Sequence, residues 1–183
     1  MDAFSEMTDA LEVDVRKLTP QAPAPQKVEP GQAGRIMSID MIRKFLNGGN
    51  ATFTMRNVKS GNRLTFKVTK PRNPETGQIN HSASTRFVGV LSGSDNESNY
   101  TYVGAIFENL EGARFSLTKK SRVTRDAVSY RAFEALWKFV EVEKRMPNGL
   151  EIWHEGHCAR CNRKLTVPES IESGFGPECA KHV

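Results

Sequence analysis

Residues 154–183 hold all three cysteines of the chain, Cys158, Cys161 and Cys179, and three of its four histidines, His154, His157 and His182. Thiolate and imidazole are the ligands zinc prefers, and a Cys-x2-Cys pair presents two sulfurs to one ion from a tight turn. With Cys179 following, the set reads as a tetrahedral Cys3His zinc site. Cys158, Cys161 and Cys179 are the expected sulfur ligands. The fourth ligand comes from His154, ahead of the turn in His-x3-Cys-x2-Cys, or from His182, in Cys-x2-His with Cys179. His154 is the better held of the two, because His182 is the penultimate residue and chain ends fray. His157, adjacent to Cys158, reads as an exposed side chain.

The same residues bear on structural against catalytic chemistry. A catalytic zinc keeps an open position for water with a carboxylate base nearby, and Glu155 and Glu178 neighbour candidate ligands. Four protein ligands close the site, however, and so short a unit has no apolar core of its own. Metal binding would supply its folding free energy, on the order of 10 kcal/mol as in zinc-finger peptides. The expected role is structural, and no enzyme activity is expected. The zinc deaminase signature, His-x-Glu followed later by Pro-Cys-x-x-Cys, is not met, because Glu155 follows His154 directly. Nor does the chain contain a Walker loop, a Gly-x-Ser-x-Gly elbow or a nucleotide-binding glycine fingerprint.

The elements that must position this site come earlier. Phe4, Met7, Leu11 and Leu18 suit one stripe of a short helix, and four prolines between Pro20 and Pro30 mark an extended linker. Ser38 is a natural N-cap for a two-turn helix with Ile39, Ile42, Phe45 and Leu46 on one face, stopped by Asn47-Gly48-Gly49. The period then changes to two: residues 51–58 and 63–70 read as a β-hairpin, residues 87–91 as a buried strand, 100–107 as a fourth strand and 114–118 as a fifth. From Ser129 the period is helical again, with Tyr130, Phe133, Leu136, Trp137 and Val140 as the apolar stripe. The expected fold is α+β: an antiparallel sheet of four to five strands covered by a helix, followed by a small treble-clef-like zinc finger. The expected divisions are a flexible segment and linker at 1–35, a basic α+β domain at 36–147 and the zinc unit at 148–183.

Charge separates these divisions. Residues 1–34 carry three basic and six acidic groups, residues 35–145 carry 19 and 10, and residues 146–183 carry four and five. The middle domain is thus strongly cationic, and nucleic acid is the commonest intracellular polyanion. No apolar run approaches the ~20 residues of a membrane helix, and the acidic N-terminus lacks the pattern of a signal peptide. A soluble protein of the cytoplasm, without a membrane partner, is expected, and three clustered cysteines fit a reducing compartment.

From Trp153 to Cys179 the pieces Cys-x-x-Cys, Leu165-Thr166, Pro168-x-Ser170 and Gly174-x-Gly176-Pro177-x-Cys179 occur in order. This stretch resembles a family of small zinc-finger domains of unknown function found largely in bacteriophage and mobile-element proteins. The resemblance implies a bound metal, a bacterial host cell as setting and His154 as the fourth ligand; it implies no reaction.

Two functions follow as expectations. In the first, DNA or RNA is bound through phosphate contacts by Lys119, Lys120, Arg122 and Arg125, extended by Arg56, Lys59, Arg63, Lys67 and Lys70, with Tyr100 and Tyr102 on one strand face available to stack on bases. In the second, the chain binds and modulates a host defence or transcription protein through its acidic N-terminal segment and the finger. Convergence of the basic groups on one face favours the first reading.

Overall fold

Ser38 opens the first helix. Its hydroxyl accepts the backbone N–H of Met41 at 3.2 Å, satisfying a donor that has no partner within the helix. In the computed structural model, which describes residues 34–183, α1 spans Ile39–Asn47 and buries Ile42, Phe45 and Leu46. The expected helix at 1–18 and nearly all of the Pro-rich linker lie outside the described residues. Five strands follow: β1 (Asn50–Asn57), β2 (Arg63–Thr69), β3 (Thr85–Leu91), β4 (Tyr100–Asn109) and β5 (Gly112–Ser116). Helix α2 (Val128–Lys138) runs into a π-helical stretch at Phe139–Glu143, which Lys144 ends in the left-handed region at φ 50°. Then come β6 (Leu150–His154) and two short helices, α3 (Pro168–Ser173) and α4 (Pro177–Ala180).

The strands form one antiparallel sheet in the order β5-β4-β3-β2-β1-β6. That is one strand more than the sequence suggests. The added strand, β6, comes from the segment expected to belong to the zinc unit and pairs with β1, His154 opposite Phe53 and Leu150 opposite Asn57. Beyond it, Arg35 pairs with Trp153, and the Ile36 N–H donates to the Ile152 carbonyl at 2.8 Å. The backbone before α1 therefore borders the same sheet.

Because successive side chains in a strand alternate between faces, β1 sends Ala51, Phe53 and Met55 inward and Thr52, Thr54 and Arg56 outward. The inner face carries the core. Phe66 stacks on Phe53 at 5.9 Å between ring centroids and meets Phe133 of α2 at 5.3 Å, while Phe115 of β5 lies 4.7 Å from Phe133. Phe133 is fully buried, and truncating such a ring to alanine typically costs about 3–5 kcal/mol. Helix α1 packs on this face too, through Phe45 against the His154 ring at 5.6 Å. One cation is built into the inner face: Arg86 is 2% exposed, lies over the Trp137 ring, donates to Asn47 Oδ1 and pairs with Glu108 at 3.3 Å. The two terminal nitrogens of this buried guanidinium are thus partnered, while its Nε has no hydrogen-bond partner among the described residues.

The C-terminal segment shares that core. Cys158, Ala159, Leu165 and Phe175 are buried in one cluster with Phe45, Phe53 and Phe133. The Ala159 carbonyl accepts the Asn50 N–H at 2.7 Å, and a Cβ on Gly48 would stand 2.6 Å from that oxygen. Glycine at 48 is what lets the end of α1 approach the cysteine turn.

Candidate functional site

The cysteine turn begins where β6 ends. The Asn162 N–H donates to the Cys158 carbonyl at 2.9 Å, Asn162 takes φ 64°, and the chain returns with the Cys158 N–H donating to Arg163. Pro177 then opens α4, which presents Cys179. The ligand atoms of Cys158, Cys161 and Cys179 all lie within 4.8 Å of one another. Tetrahedral Zn–S bonds of about 2.3 Å place sulfurs roughly 3.8 Å apart, so a small contraction brings the three onto one ion.

The electrostatics suit a cation there. Burial raises the Cys158 thiol, but the backbone N–H groups of Cys161, Gly176 and Arg160, all directed at its sulfur, outweigh burial and hold it below the ordinary thiol range. The Cys179 thiol is raised, by burial first and then by its hydrogen bonds to Cys161 and Cys158. The two thiols are thus shifted in opposite directions, and binding a metal ion requires both as thiolates. The three cysteines can hold a metal ion.

His154 stands outside this group. It is 1% exposed, its Nδ1 accepts the Gly156 N–H at 3.1 Å, and its Nε2 lies 2.6 Å from the Ile171 carbonyl oxygen. An accepting Nδ1 leaves the proton on Nε2, so the ring is neutral and both nitrogens are engaged. Burial lowers its pKa, with the Ile171 bond opposing. The geometry makes His154 a tie between the sheet and α3 rather than a neighbour of the sulfurs. His157 is exposed and bridges Lys164. His182 is exposed, its N–H donating to the Cys179 carbonyl at 3.1 Å and its carbonyl accepting from Arg160 at 3.3 Å. The last turn is therefore tied back to the cysteine turn through Arg160.

The basic residues lie on the other side of the sheet. Arg56 opposite Arg63, Thr52 opposite Lys67, and Lys67 opposite Gly89 and then Tyr102 define rows of outward side chains. Arg56, Arg63, Lys67, Tyr100 and Tyr102 consequently share one face, the two arginines exposed and the other three half-buried, while α1 and α2 pack on the opposite one. Lys67 holds its ammonium 5.2 Å from the Tyr100 ring centroid. Burial, then nearby Glu155 and Asp95, push the Tyr100 hydroxyl above its ordinary range, so it stays neutral. Arg56 is shared with Glu151 at 3.4 Å.

Lys119, Lys120, Arg122 and Arg125 are exposed, and none of them forms a salt bridge among the described residues. Their loop is hydrogen-bonded internally, Thr118 N–H to Ser121 Oγ at 2.9 Å, and attached to the sheet by the Arg122 N–H donating to the Tyr102 carbonyl at 3.0 Å. Thr118 Oγ1 also lies 3.3 Å from the Tyr102 hydroxyl. Lys59 sits in the β1–β2 turn, its N–H donating to Asn57 Oδ1 at 2.8 Å. Lys70 faces inward beside Arg86, its ammonium donating to the His81 carbonyl at 2.6 Å. Lys70 is thus separated from the other basic groups.

Sequence reasoning misses two aromatics of the open face. Phe87 and Phe107 are each 40% exposed and point outward from β3 and β4. Phe87 begins a run apolar on both faces, which reads as wholly buried; Arg86 turns inward beside it, which sends Phe87 out, and no local pattern signals this.

Residues 153–183 match DUF6011, a family of unknown function. The matched stretch holds the end of β6, the three cysteines, α3 and α4. No curated protein and no solved structure matches the chain. Among the described residues, no helix is long and apolar enough to cross a membrane.

Proposed function

We propose that this chain binds nucleic acid through the open face of its sheet and the 119–125 loop at its edge, and that a structural zinc ion closes its C-terminal unit. The observation that carries the reading is the convergence of Arg56, Arg63, Lys67, Tyr100 and Tyr102 on one face that no helix among the described residues covers, with the loop bearing Lys119, Lys120 and Arg122 hydrogen-bonded to Tyr102. Cations supply phosphate contacts and aromatic faces supply stacking.

Zinc is the ion we assign because three thiolates from a Cys-x2-Cys turn and a short helix suit its tetrahedral, borderline-soft preference. That turn and helix are also the parts from which a treble clef is built. The metal's role is structural: Cys158 is fully buried, and the turn packs on α1. The resemblance of the finger to phage and mobile-element proteins supports a setting in the cytoplasm of a bacterial host.

The test is fluorescence anisotropy with labelled DNA and RNA oligonucleotides at about 50 and 200 mM salt, on protein of measured zinc content. Affinity falling steeply between the two salts, and further on reversing the charges at Lys119, Lys120 and Arg122, is the expected result. A folded, zinc-loaded sample that binds no oligonucleotide at either salt would overturn the reading and direct the search to protein partners.

A further inference from the structure

The open face specifies which form of nucleic acid fits it. Six strands spaced about 4.8 Å apart make a surface roughly 24 Å across, twice the ~12 Å width of a DNA major groove. The face as a whole is therefore too broad to be inserted into a major groove, and in a duplex the bases are already stacked on one another. The rings on this face meet base planes most directly where the bases are unpaired and free to stack.

The rings are disposed for that contact. Phe87 stands between Thr69 and Ala105 in its row, and Phe107 between Thr85 and Arg114. Three of these four neighbours are small, which leaves each ring 40% exposed, and the two are diagonal neighbours on adjacent strands, roughly 7–8 Å apart. The Phe87 ring meets that of Tyr102 edge to face at 6.2 Å, and the Tyr102 hydroxyl lies 3.3 Å from Thr118 Oγ1. Tyr102 is therefore held in place before any ligand arrives. Charge complements the rings: Lys67 lies in the Tyr102 row across Gly89, Arg114 is directly opposite Phe107, and the 119–122 turn is attached beside Tyr102.

Resting on the nucleic-acid reading above, we propose that the ligand is a single strand whose bases stack on Phe87, Tyr102 and Phe107 while Lys67, Arg114, Lys119 and Lys120 contact its phosphates. Stacking is tolerant of base identity, so sequence preference is weak.

The experiment compares a labelled 20-nucleotide single strand with the blunt duplex of the same sequence, at about 100 mM salt, using the full chain loaded with zinc and the variants F87A/F107A and F87Y/F107Y. Single-strand affinity at least tenfold above duplex affinity is expected. F87A/F107A should weaken single-strand binding by roughly 5- to 150-fold for each stacking ring removed, leave duplex binding unchanged, and be rescued by F87Y/F107Y. Both side chains point away from the core, and an unchanged circular dichroism spectrum verifies that the fold is kept. If the duplex binds as well as the single strand, or F87A/F107A binds like wild type, this inference falls and the nucleic-acid reading stands. If neither oligonucleotide binds, both fall.

Discussion

The Nε2 of His154 donates to the carbonyl of Ile171 across 2.6 Å, joining the last strand of the sheet to the helix inside the cysteine-bearing segment. Gly34 lies against this bond so closely that a Cβ there would collide with both the imidazole and the carbonyl. The backbone preceding α1, the sheet and the C-terminal segment thus meet at one buried polar contact. Stability of the C-terminal segment is consequently not separable from that of the sheet.

Chelation follows directly from this coupling. Treating the zinc-loaded protein with a strong chelator should lower the thermal midpoint of the whole described fold, because Cys158, Leu165 and Phe175 share a core with Phe45 and Phe133. Differential scanning calorimetry with and without chelator measures it, and returning zinc should restore the transition. An unchanged sheet transition on metal removal would contradict the shared core.

Gly174 offers a local test. It takes φ 75°, a conformation that side chains rarely adopt, and a Cβ there would stand 2.7 Å from the Phe45 ring. Gly174→Ala therefore combines backbone strain with a collision in the contact between α1 and the cysteine segment. A loss of about 1–3 kcal/mol is expected by urea denaturation. Gly61→Ala, where φ is also positive and nothing lies within 4 Å, isolates the backbone share and should cost less.

His154 sets a pH dependence whose sign is fixed by its burial. An unfolded histidine titrates near 6.5; in the fold burial lowers that value, opposed by the Ile171 bond. As pH falls below about 6.5 the unfolded chain takes up the proton first, so stability from the neutral ring is full above 6.5 and is lost toward the lower folded value. The thermal midpoint should therefore fall between pH 7 and pH 5.5, and less steeply in His154→Gln. His81 is shifted in the same direction, chiefly by burial, so some slope should remain. Equal slopes in wild type and variant would remove His154 from this account.

Which parts of this architecture are legible in the sequence depends on whether the deciding contact is local. Thr52–Arg56 and Arg63–Val68 announce a hairpin because alternation is written into neighbouring residues, and Ser38 announces α1 because a cap acts within one turn. The three cysteines are legible for the same reason: a turn of four residues and a short helix bring them together. β6 is different. Leu150-Glu151-Ile152-Trp153-His154 alternates, but its partner β1 lies far back in the chain, and the adjacent cysteines draw it into the finger. His154 illustrates the same limit, since spacing records that a histidine precedes the turn and not that its two nitrogens are satisfied by Gly156 and Ile171. The inward Arg86 and outward Phe87 depend on which face α2 covers, information carried by no short stretch of residues.

The measurement that bears most directly on the proposed function is photocross-linking of the zinc-loaded protein to a bromouracil-substituted single strand, with the cross-linked peptides identified by mass spectrometry. Cross-links on the peptides carrying Phe87, Tyr102 and Phe107 and on the 119–125 loop are the predicted result. Cross-links confined to α2 on the opposite side of the sheet, at Arg131 or Lys138, or none at all from a folded sample, would contradict the assignment of the open face as the nucleic-acid surface.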